Sequence, residues 1–279
     1  MKYSDFKKLV IENMPKNSNP GLWHKKGEPR SHILGNPSTM EEKVELINTY
    51  SILPNIPPID CKSIHLHQYA HHLNSSQIMC YNFFRPLIES FNGKMYTPKT
   101  SLLNLIKEEI DKDIISNDTE CNFEYIDNSN ENTNFDFYIR SGKTEIFCEI
   151  KYTEEKFSKK SSAKNPHVRF ISVYKPMIEL SKDIFIDGTI SEEDFNKKYY
   201  QLARNAIRAT TPDKHVFFIY PQKHDGLKKQ FKEFSDNCLT AEGKKRVKSL
   251  TWEKLVQDAE SLNLDYKHFK ERYLDFINK

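Results

Sequence analysis

The sequence predicts an α/β domain, because helical and strand periodicities follow one another along a single chain of 279 residues. Apolar residues recur at helical spacing between Leu73 and Phe91. Three short aromatic and β-branched runs within residues 122–152 then alternate polar with apolar side chains. The nearly continuous apolar run His215–Tyr220 is typical of a strand buried inside a sheet. We therefore expect a core of helix, three-strand meander, helix and strand, with a central mixed sheet flanked by helices.

The composition excludes several classes of protein. Hydrophobic residues make up 37% of the chain and charged residues 29%, and 18 Phe and 14 Tyr supply enough bulk for a core, which excludes disorder as the main state. No run approaches the roughly 18 apolar residues of a membrane span. The charged N-terminal residues do not resemble a signal peptide, so we expect a cytoplasmic protein. Cys80 and Cys148 lie in apolar stretches and are expected to be buried free thiols.

The chain divides into three predicted segments. They are a helical and loop N-terminal extension at 1–60, the core at 61–222, and a basic helical C-terminal extension packed on the core at 223–279. In the first segment, Thr39 and Glu42 have the spacing of a helix-capping box. In the last, Thr251 is a predicted helix cap before Trp252.

The core helices have recognisable boundaries. The first is expected within residues 63–91, with possible N-caps at residues 74–76 and a kink or division at Pro86. A second is expected at residues 101–115. A third, from Ser191 to Ala209, begins with a serine cap and precedes the buried strand.

Two neighbouring strands form a predicted hairpin, Phe135–Arg140 and Thr144–Tyr152, joined by a three-residue loop at 141–143. Strict alternation places Asp136 on one face of the first strand, with Phe135 and Phe137 on the other. On the second strand Glu149 and Lys151 share a face. The hairpin then brings Asp136 beside the Glu149 and Lys151 pair.

Two carboxylates one strand spacing apart, roughly 5 Å, form a hard oxygen site that Mg²⁺ or Mn²⁺ takes. A lysine beside them can hold a water or stabilise charge that develops on a phosphate. An acidic residue two positions before a lysine occurs seven times in the chain, but only the Glu149 pair lies in an apolar strand beside an aspartate. The alternative interpretation is a solvated sheet face with Glu–Lys salt bridges.

The distribution of charge along the chain agrees with a metal and phosphate site near Glu149 and Lys151. Residues 101–150 hold 4 Lys/Arg and 12 Asp/Glu, whereas residues 151–175 hold 7 Lys/Arg and 2 Asp/Glu. An acidic block that attracts cations is followed at once by a basic block that attracts phosphates. Ordinary solvated faces are the alternative interpretation.

The pattern Asp136 … Glu149-x-Lys151 on a hairpin, with a helix before it and a helix and strand after it, resembles the PD-(D/E)xK nuclease superfamily of restriction-endonuclease-like fold. The resemblance covers residues 63–221, and residues 72–87 resemble the first helix of a bacterial branch of the superfamily. The usual proline before the aspartate is replaced by Phe135.

This resemblance implies a set of site residues. Asp136 and Glu149 would bind Mg²⁺, or Mn²⁺ in its place, together with the backbone carbonyl of Ile150, and Lys151 would act beside them in catalysis. Some members add an acidic or amide residue from the first helix, for which Gln77 is the first candidate and Glu89 the second. A role for Gln77 in bonding backbone near the helix start is equally open.

Two further residues are candidates for the site. Glu124, on the strand before the hairpin, can complete the metal shell, although outward glutamates on strands are common. Arg204 is expected near the scissile phosphate, because a guanidinium binds phosphate with two hydrogen bonds. Gln201, Asn205 and Arg208 share its helical stripe. A solvated helix face is the alternative interpretation of this stripe.

A cluster of four histidines indicates a different kind of metal site. It comprises His65, His67, His71 and His72, and paired histidines bind zinc. His67 and His71 would share one face of a helix. Because no cysteine or carboxylate stands at ligand spacing beside them, a polar surface is the favoured interpretation.

These features together predict a metal-dependent DNA endonuclease, and the resemblance implies a role in restriction or phage defence. The basic residues expected to bind nucleic-acid phosphates, with the helix residues Gln201 and Arg208, are Lys156, Lys159, Lys160, Lys164 and Arg169. Double-strand cutting implies a homodimer or a partner subunit. RNA as the substrate, and a catalytically silent nucleic-acid-binding module of the same fold, remain the alternatives.

Overall fold

The computed structural model describes seven stretches of the chain, and everything below concerns these. They are residues 1–14, 23–25, 28–60, 64–110, 118–127, 132–157 and 165–277. Each helix within these stretches is too short or too polar to span a lipid bilayer.

The strands begin and end as follows. They are β1 (Trp23–Lys25), β2 (Glu28–Arg30), β3 (Ile88–Phe91), β4 (Tyr96–Pro98), β5 (Thr119–Asp127), β6 (Thr133–Ser141), β7 (Thr144–Ile150), β8 (Lys214–Tyr220) and β9 (Val247–Thr251). The first two form a separate antiparallel hairpin. The other seven form one sheet in the order β3-β4-β5-β6-β7-β8-β9. Strands β3 to β7 pair antiparallel, whereas β8 and β9 run parallel to β7. The predicted α/β class with a mixed central sheet is therefore confirmed.

Helices surround this sheet. They are α1 (Tyr3–Asn13), α2 (Met40–Tyr50), α3 (Ser76–Phe84), α4 (Thr100–Ile110), α5 (Pro166–Arg169), α6 (Lys175–Leu180), α7 (Glu192–Asp194), α8 (Tyr200–Ala206), α9 (Asp225–Cys238), α10 (Ala241–Arg246), α11 (Trp252–Ser261) and α12 (Lys267–Tyr273). A 3₁₀ turn, Arg85–Leu87, follows α3. Single π-helical turns join α5 to α6 at Phe170–Tyr174 and α7 to α8 at Phe195–Tyr199.

Two apolar clusters lie on the two faces of the sheet. The first contains Phe6 of α1, Phe84 of α3 and Trp252 of α11, so all three predicted segments contribute to it. The second contains residues of the connection between β7 and β8, such as Phe195 and Leu202. The N-terminal and C-terminal extensions thus pack on the central sheet, and their predicted boundaries at 60 and 222 stay predictions.

Most of the predicted helix caps are present in the structure. Thr39 Oγ1 accepts the N–H of Glu42 at 3.2 Å, and Thr251 Oγ1 accepts the N–H of Lys254 at 3.3 Å. The glutamate of the capping box differs in one detail, because Glu42 accepts the N–H of Ser38 at 2.7 Å. These local bonds satisfy N–H groups that have no partner within the helix.

Several elements differ from the sequence-based prediction, three of them as follows. The segment before α3 is not helical, since the helix begins only after Ser75, whose hydroxyl accepts the N–H of Ile78. Pro86 ends the helix altogether, and the chain continues as β3 because proline cannot supply the next helical hydrogen bond. The C-terminal segment, predicted to be helical, contributes β9 to the sheet.

The hairpin between β6 and β7 is tighter than predicted. Ser141 pairs directly with Thr144, so the turn has two residues and not three. Gly142 adopts a φ of +58°, a conformation that glycine reaches at no steric cost. The predicted neighbourhood of the two strands is confirmed.

Alternation along β6 is broken near Asp136. Phe135 lies in the second apolar cluster, whereas Phe137 lies in the first, although strict alternation would place both on one face. On the neighbouring strand the paired residues Tyr125 and Phe123 divide in the same way. Glu124, between them, has a φ of +51°, which turns the side chains of β5 over at this point.

The predicted free thiols are present. The four cysteines that the structure describes, Cys80, Cys121, Cys148 and Cys238, are buried and unpaired with one another. Cys80 and Cys148 pack in the first apolar cluster, as their sequence context predicts.

Candidate active site

A cavity of about 440 Å³ opens where the N-terminal end of α3, the ends of β6 and β7, and helix α8 meet. Residues with polar side chains line it. They are His67, Tyr69, His72, Asn74, Ser75, Ser76, Gln77, Asn134, Asp136, Glu149, Lys151, Thr153, Glu154, Gln201 and Arg204. Asp136, Glu149 and Lys151, which the sequence singled out, thus line one cavity.

Glu149 is the most firmly held of these side chains. It is 4% exposed, and its Oε1 accepts hydrogen bonds from Lys151 Nζ, at 2.5 Å, and from Gln201 Nε2. Asn205 Nδ2 donates to Oε2 at 2.8 Å. Burial of a carboxylate is costly unless donors replace water, and these donors come from the end of β7 and from α8.

Lys151 lies just beyond β7 and is 7% exposed. Burial disfavours its ammonium group, but the negative charges of Glu149, Glu154 and Asp136 outweigh this and raise the pKa of Lys151. The lysine is therefore a fixed cation at neutral pH, aimed at the cavity. The alternative interpretation of a solvated Glu–Lys pair does not fit, because both side chains are buried.

Asp136 is half-buried at the same end of the sheet. Its Oδ2 accepts the backbone N–H of Ile150 at 2.6 Å, which joins β6 to the end of β7. Desolvation, followed by the negative charges of Glu149 and Glu124, raises the pKa of Asp136 well above its usual range. The amide of Ile150 and the ammonium of Lys151 act in the opposite direction. Burial and the neighbouring carboxylates thus outweigh these two groups.

Glu124 and His67 lie beside Asp136, and these three residues form a group that we call the acidic corner. His67 Nε2 lies 3.1 Å from Glu124 Oε2, and Asn134 Nδ2 donates to the same oxygen at 2.6 Å. One ligand atom from each of His67, Glu124 and Asp136 lies within 4.8 Å of the other two. Oε1 of Glu124 is buried without a hydrogen-bond partner among the described residues. The predicted proximity of Glu124 to the site is thus present in the structure.

The side chain of Gln77 hydrogen-bonds to the backbone of the loop before α3 and holds that loop in place. Its Nε2 donates to the carbonyl of His65 at 2.7 Å, and its Oε1 accepts the N–H of His67 at 3.0 Å. Of the two roles that the sequence left open, backbone bonding is the one that these contacts show. Gln77 borders the cavity and fixes the backbone that carries His67.

The predicted stripe on the third helix is divided. Gln201 and Arg204 border the cavity, and the guanidinium of Arg204 lies over the ring of Tyr200 at 5.3 Å from its centroid. Arg208 does not join them, because α8 ends at Ala206 and the chain turns. Arg208 is buried and pairs with Asp127 at 2.8 Å, which places it away from a nucleic-acid surface.

The basic loop is described only in part. Lys156 is exposed, and Arg169 is half-buried near the ring of Tyr174. The other predicted phosphate-binding residues, Lys159, Lys160 and Lys164, lie outside the described residues.

The histidines predicted as a possible zinc cluster separate in the structure. His67 faces Glu124, whereas the ring of His72 packs against His71, with centroids 4.7 Å apart, and against His32 at 6.0 Å. His67 and His71 share no helix face, because residues 64–75 contain no helix. The zinc site built on this helical spacing is therefore wrong.

Two contributions were not assigned from the sequence. The sequence favours a polar surface for His67 and the neighbouring histidines, whereas its carboxylate partners in the structure lie far away in the chain. Asn205 was placed on the correct helix stripe but was given no role, and it proves to hold Glu149. Its spacing of four residues from Gln201 was the available signal.

The cavity residues fit a divalent cation. The carboxylates of Asp136, Glu149 and Glu154 border the cavity and that of Glu124 adjoins it, and oxygen ligands of this type suit Mg²⁺ and Mn²⁺. The buried Glu124 oxygen without a partner is the kind of atom that a cation would satisfy.

Comparison with known protein families gives a match over most of the chain. The family model described as "Restriction Endonuclease associating with ARP" matches residues 57–274. Searches of curated proteins and of solved structures returned no significant match.

Proposed function

The chain belongs to the restriction endonuclease family that is described as associating with ARP, and from this premise we propose that it is a metal-dependent DNA endonuclease of the PD-(D/E)xK superfamily. The family model spans the whole sheet, from β3 to β9, and the α/β fold is consistent with a restriction-endonuclease-like core. The proposal goes further in naming the chemistry, the substrate and the cation.

One observation carries the proposal. Asp136, Glu149 and Lys151 converge on a single cavity, although burying Glu149 and Lys151 beside a half-buried Asp136 costs free energy. A purely structural sheet would be more stable with apolar residues in these places. Such a costly arrangement is typical of sites that perform chemistry.

The cation would be held by Asp136 and Glu149 with the backbone carbonyl of Ile150, and Glu124 adjoins them. Mg²⁺ is the expected ion, with Mn²⁺ as a substitute. When bound, such an ion supplies Lewis-acid stabilisation of phosphate charge and lowers the pKa of a water molecule.

The protein's own groups perform the remaining tasks. Lys151, fixed by Glu149, presents an ammonium that orients a water or offsets negative charge on the phosphate. Gln201 and Asn205 fix Glu149 in turn, so the position of Lys151 depends on α8. Arg204, at the border of the cavity, provides a guanidinium for a phosphate oxygen of the substrate.

The substrate is proposed to be DNA. Lys156, Lys159, Lys160, Lys164 and Arg169 are proposed to bind its phosphates, with affinity that decreases as salt increases. A cytoplasmic role in restriction or phage defence fits the family's description, which also names an association partner. Cleavage of both strands would require a homodimer or that partner.

Cleavage assays test the proposal. Supercoiled plasmid, linear DNA and RNA are incubated with the protein and Mg²⁺, Mn²⁺ or a chelator. We expect plasmid cleavage that the chelator abolishes, and a loss of about 10²–10³-fold in Lys151→Ala. Lys143→Ala, in the exposed turn of the same hairpin, is the matched control and should cleave normally.

Three results would contradict the proposal. Cleavage that persists in both Glu149→Ala and Lys151→Ala would move the active site elsewhere. Binding of DNA without cleavage under Mg²⁺ or Mn²⁺ would indicate a silent binding module, and cleavage of RNA alone would change the substrate. Circular dichroism of each variant shows whether it is folded.

A further inference from the structure

The acidic corner beside the catalytic lysine contains a second arrangement of ligands. His67, Glu124 and Asp136 each offer one ligand atom within 4.8 Å of the other two. Glu149 is not part of this group, and its two oxygens already accept bonds from Lys151, Gln201 and Asn205. The ligands most ready for a cation are therefore not the pair that the sequence motif singles out.

The backbone at Glu124 is shaped to bring its carboxylate into this corner. A φ of +51° in the middle of a strand is costly for a residue with a side chain. It reverses the face of β5, so the carboxylate approaches Asp136 and His67. Such strain persists where the surrounding structure enforces it, and it occurs most often at functional sites.

The Glu124 carboxylate is also incompletely satisfied. Its side chain is 2% exposed, and Oε2 contacts both His67 Nε2 and Asn134 Nδ2. Oε1 is buried with no hydrogen-bond partner in the described part of the chain. A buried carboxylate oxygen without a donor is destabilising by itself, and a cation would compensate it.

His67 approaches the two carboxylates from the open side of the cavity. Its side chain is 54% exposed, so a cation has access from solvent. The Gln77 amide bonds to the backbone of His65 and His67 on both of its sides, which fixes the loop that carries the imidazole. The imidazole is thus positioned by buried contacts while its ring remains accessible.

We propose that His67, Glu124 and Asp136 form a cation site with one nitrogen and two carboxylate ligands, which binds first-row transition ions such as Mn²⁺ and Co²⁺ more tightly than Mg²⁺. The use of the bound ion in DNA cleavage rests on the proposed function, but the binding itself does not.

The preference follows from the imidazole. Mg²⁺ strongly favours oxygen ligands and releases its water reluctantly, so a nitrogen ligand contributes little to its binding. For first-row ions, affinity at nitrogen and oxygen sites increases from Mn²⁺ to Co²⁺. The contribution of His67 should therefore increase in the order Mg²⁺, Mn²⁺, Co²⁺, whereas the carboxylates should contribute to all three.

A simple ion pair is the competing explanation for the same contacts. A protonated His67 would pair with Glu124 and would compete with every divalent cation in the same way. Its removal would then leave the relative affinities of the three ions unchanged or would strengthen all of them. The two explanations therefore differ in the sign and selectivity of the His67 effect.

Calorimetric titration of the metal-free protein with Mg²⁺, Mn²⁺ and Co²⁺ measures these affinities directly. We expect affinity to increase in that order, and His67→Ala to weaken Mn²⁺ and Co²⁺ binding by about tenfold or more. Mg²⁺ affinity should change by less than about threefold. His65→Ala removes an exposed neighbouring imidazole and is the matched control, which should bind all three ions as the wild type does.

A second variant and a second signal complete the test. Glu124→Gln should weaken all three ions, which distinguishes the carboxylate from the imidazole. The visible absorption of bound Co²⁺ should shift in His67→Ala but not in His65→Ala, because that absorption reports the ligand atoms. Circular dichroism verifies the fold of each variant.

The proposal is overturned if His67→Ala binds Mn²⁺ and Co²⁺ as tightly as the wild type, or if Mg²⁺ affinity falls by the same factor. Wild-type affinities that are equal for the three ions would overturn it as well. Selective binding without cleavage of any nucleic acid would refute only the proposed function. Cleavage without a His67 effect on ion binding would refute only the cation site.

Discussion

Replacement of Lys151 by methionine tests whether the buried pair with Glu149 is as tightly coupled as its geometry indicates. Both side chains are less than a tenth exposed, and Nζ donates to Glu149 Oε1 at 2.5 Å. Removing one partner of a buried ion pair costs about 3–5 kcal/mol, because the other charge remains buried. Gln201 and Asn205 still donate to Glu149, so we expect the lower end, about 3 kcal/mol.

The measurements are urea unfolding and thermal unfolding without divalent cations, with Lys143→Met in the exposed turn as the matched control. At about 2–4 °C per kcal/mol, the melting temperature should decrease by roughly 6–12 °C. The double variant Glu149→Gln/Lys151→Met no longer buries an unpaired charge and should recover at least about 1 kcal/mol. A single variant that costs less than about 1 kcal/mol, with additive effects in the double variant, would refute the reasoning.

Three further predictions concern stability. Burial and the neighbouring charged groups lower the pKa of His72 from 6.5 to about 4, so its stabilising contribution is present above pH 6.5 and is lost as the pH falls towards 4. The free energy of unfolding should therefore fall by about 1–2 kcal/mol less in His72→Gln than in the wild type between pH 7 and pH 4.5, a figure that allows for solvent screening of a part-exposed ring. The same pH dependence of unfolding in both proteins would contradict this. Arg208→Ala should cost about 3 kcal/mol in urea unfolding, because the 2.8 Å ion pair between its buried guanidinium and Asp127 would be lost, and a loss under about 1 kcal/mol would show a weak pair. Gly243→Ala should lower the melting temperature, with a cost of about 1–3 kcal/mol, because its Cβ would clash with the backbone carbonyl oxygen of Ile184.

The parts of the fold that the sequence predicts well depend on local chemistry. Along β7, Ile146 and Cys148 alternate with Phe147 between the two apolar clusters, as a period of two requires. Thr39 and Thr251 cap their helices through bonds that span only three residues. Such signals involve only a few neighbouring residues, so the sequence alone is enough to predict these strands and helix caps.

The strands that were missed lack such signals. β3 and β4 have three or four residues each, and β4 contains a proline. β9, with the sequence VKSLT, is too polar to stand out, and it becomes a strand only because β8 offers an edge for parallel pairing. Tertiary pairing determines these elements, and no local pattern shows it.

The same distinction separates the two halves of the candidate site. Asp136, Glu149 and Lys151 lie on one hairpin, so their spacing predicts that they converge. His67 and Glu124 are 57 residues apart in the chain. They meet only because the loop that carries His67 passes β5 at the point where the positive φ of Glu124 turns the side chains of that strand over. A positive φ at a glutamate has no sequence signal, and strict alternation therefore fails at this position.

The position of β9 at the end of the sheet has a consequence for synthesis of the protein on the ribosome. β8 is almost wholly apolar, and one of its edges is covered only by residues 247–251. Until those residues emerge, the nascent chain presents an open, hydrophobic strand edge, which is a template for association with other chains. Nearly the entire family-matched region must be translated before β8, and with it the strand that carries Glu149, is protected from aggregation.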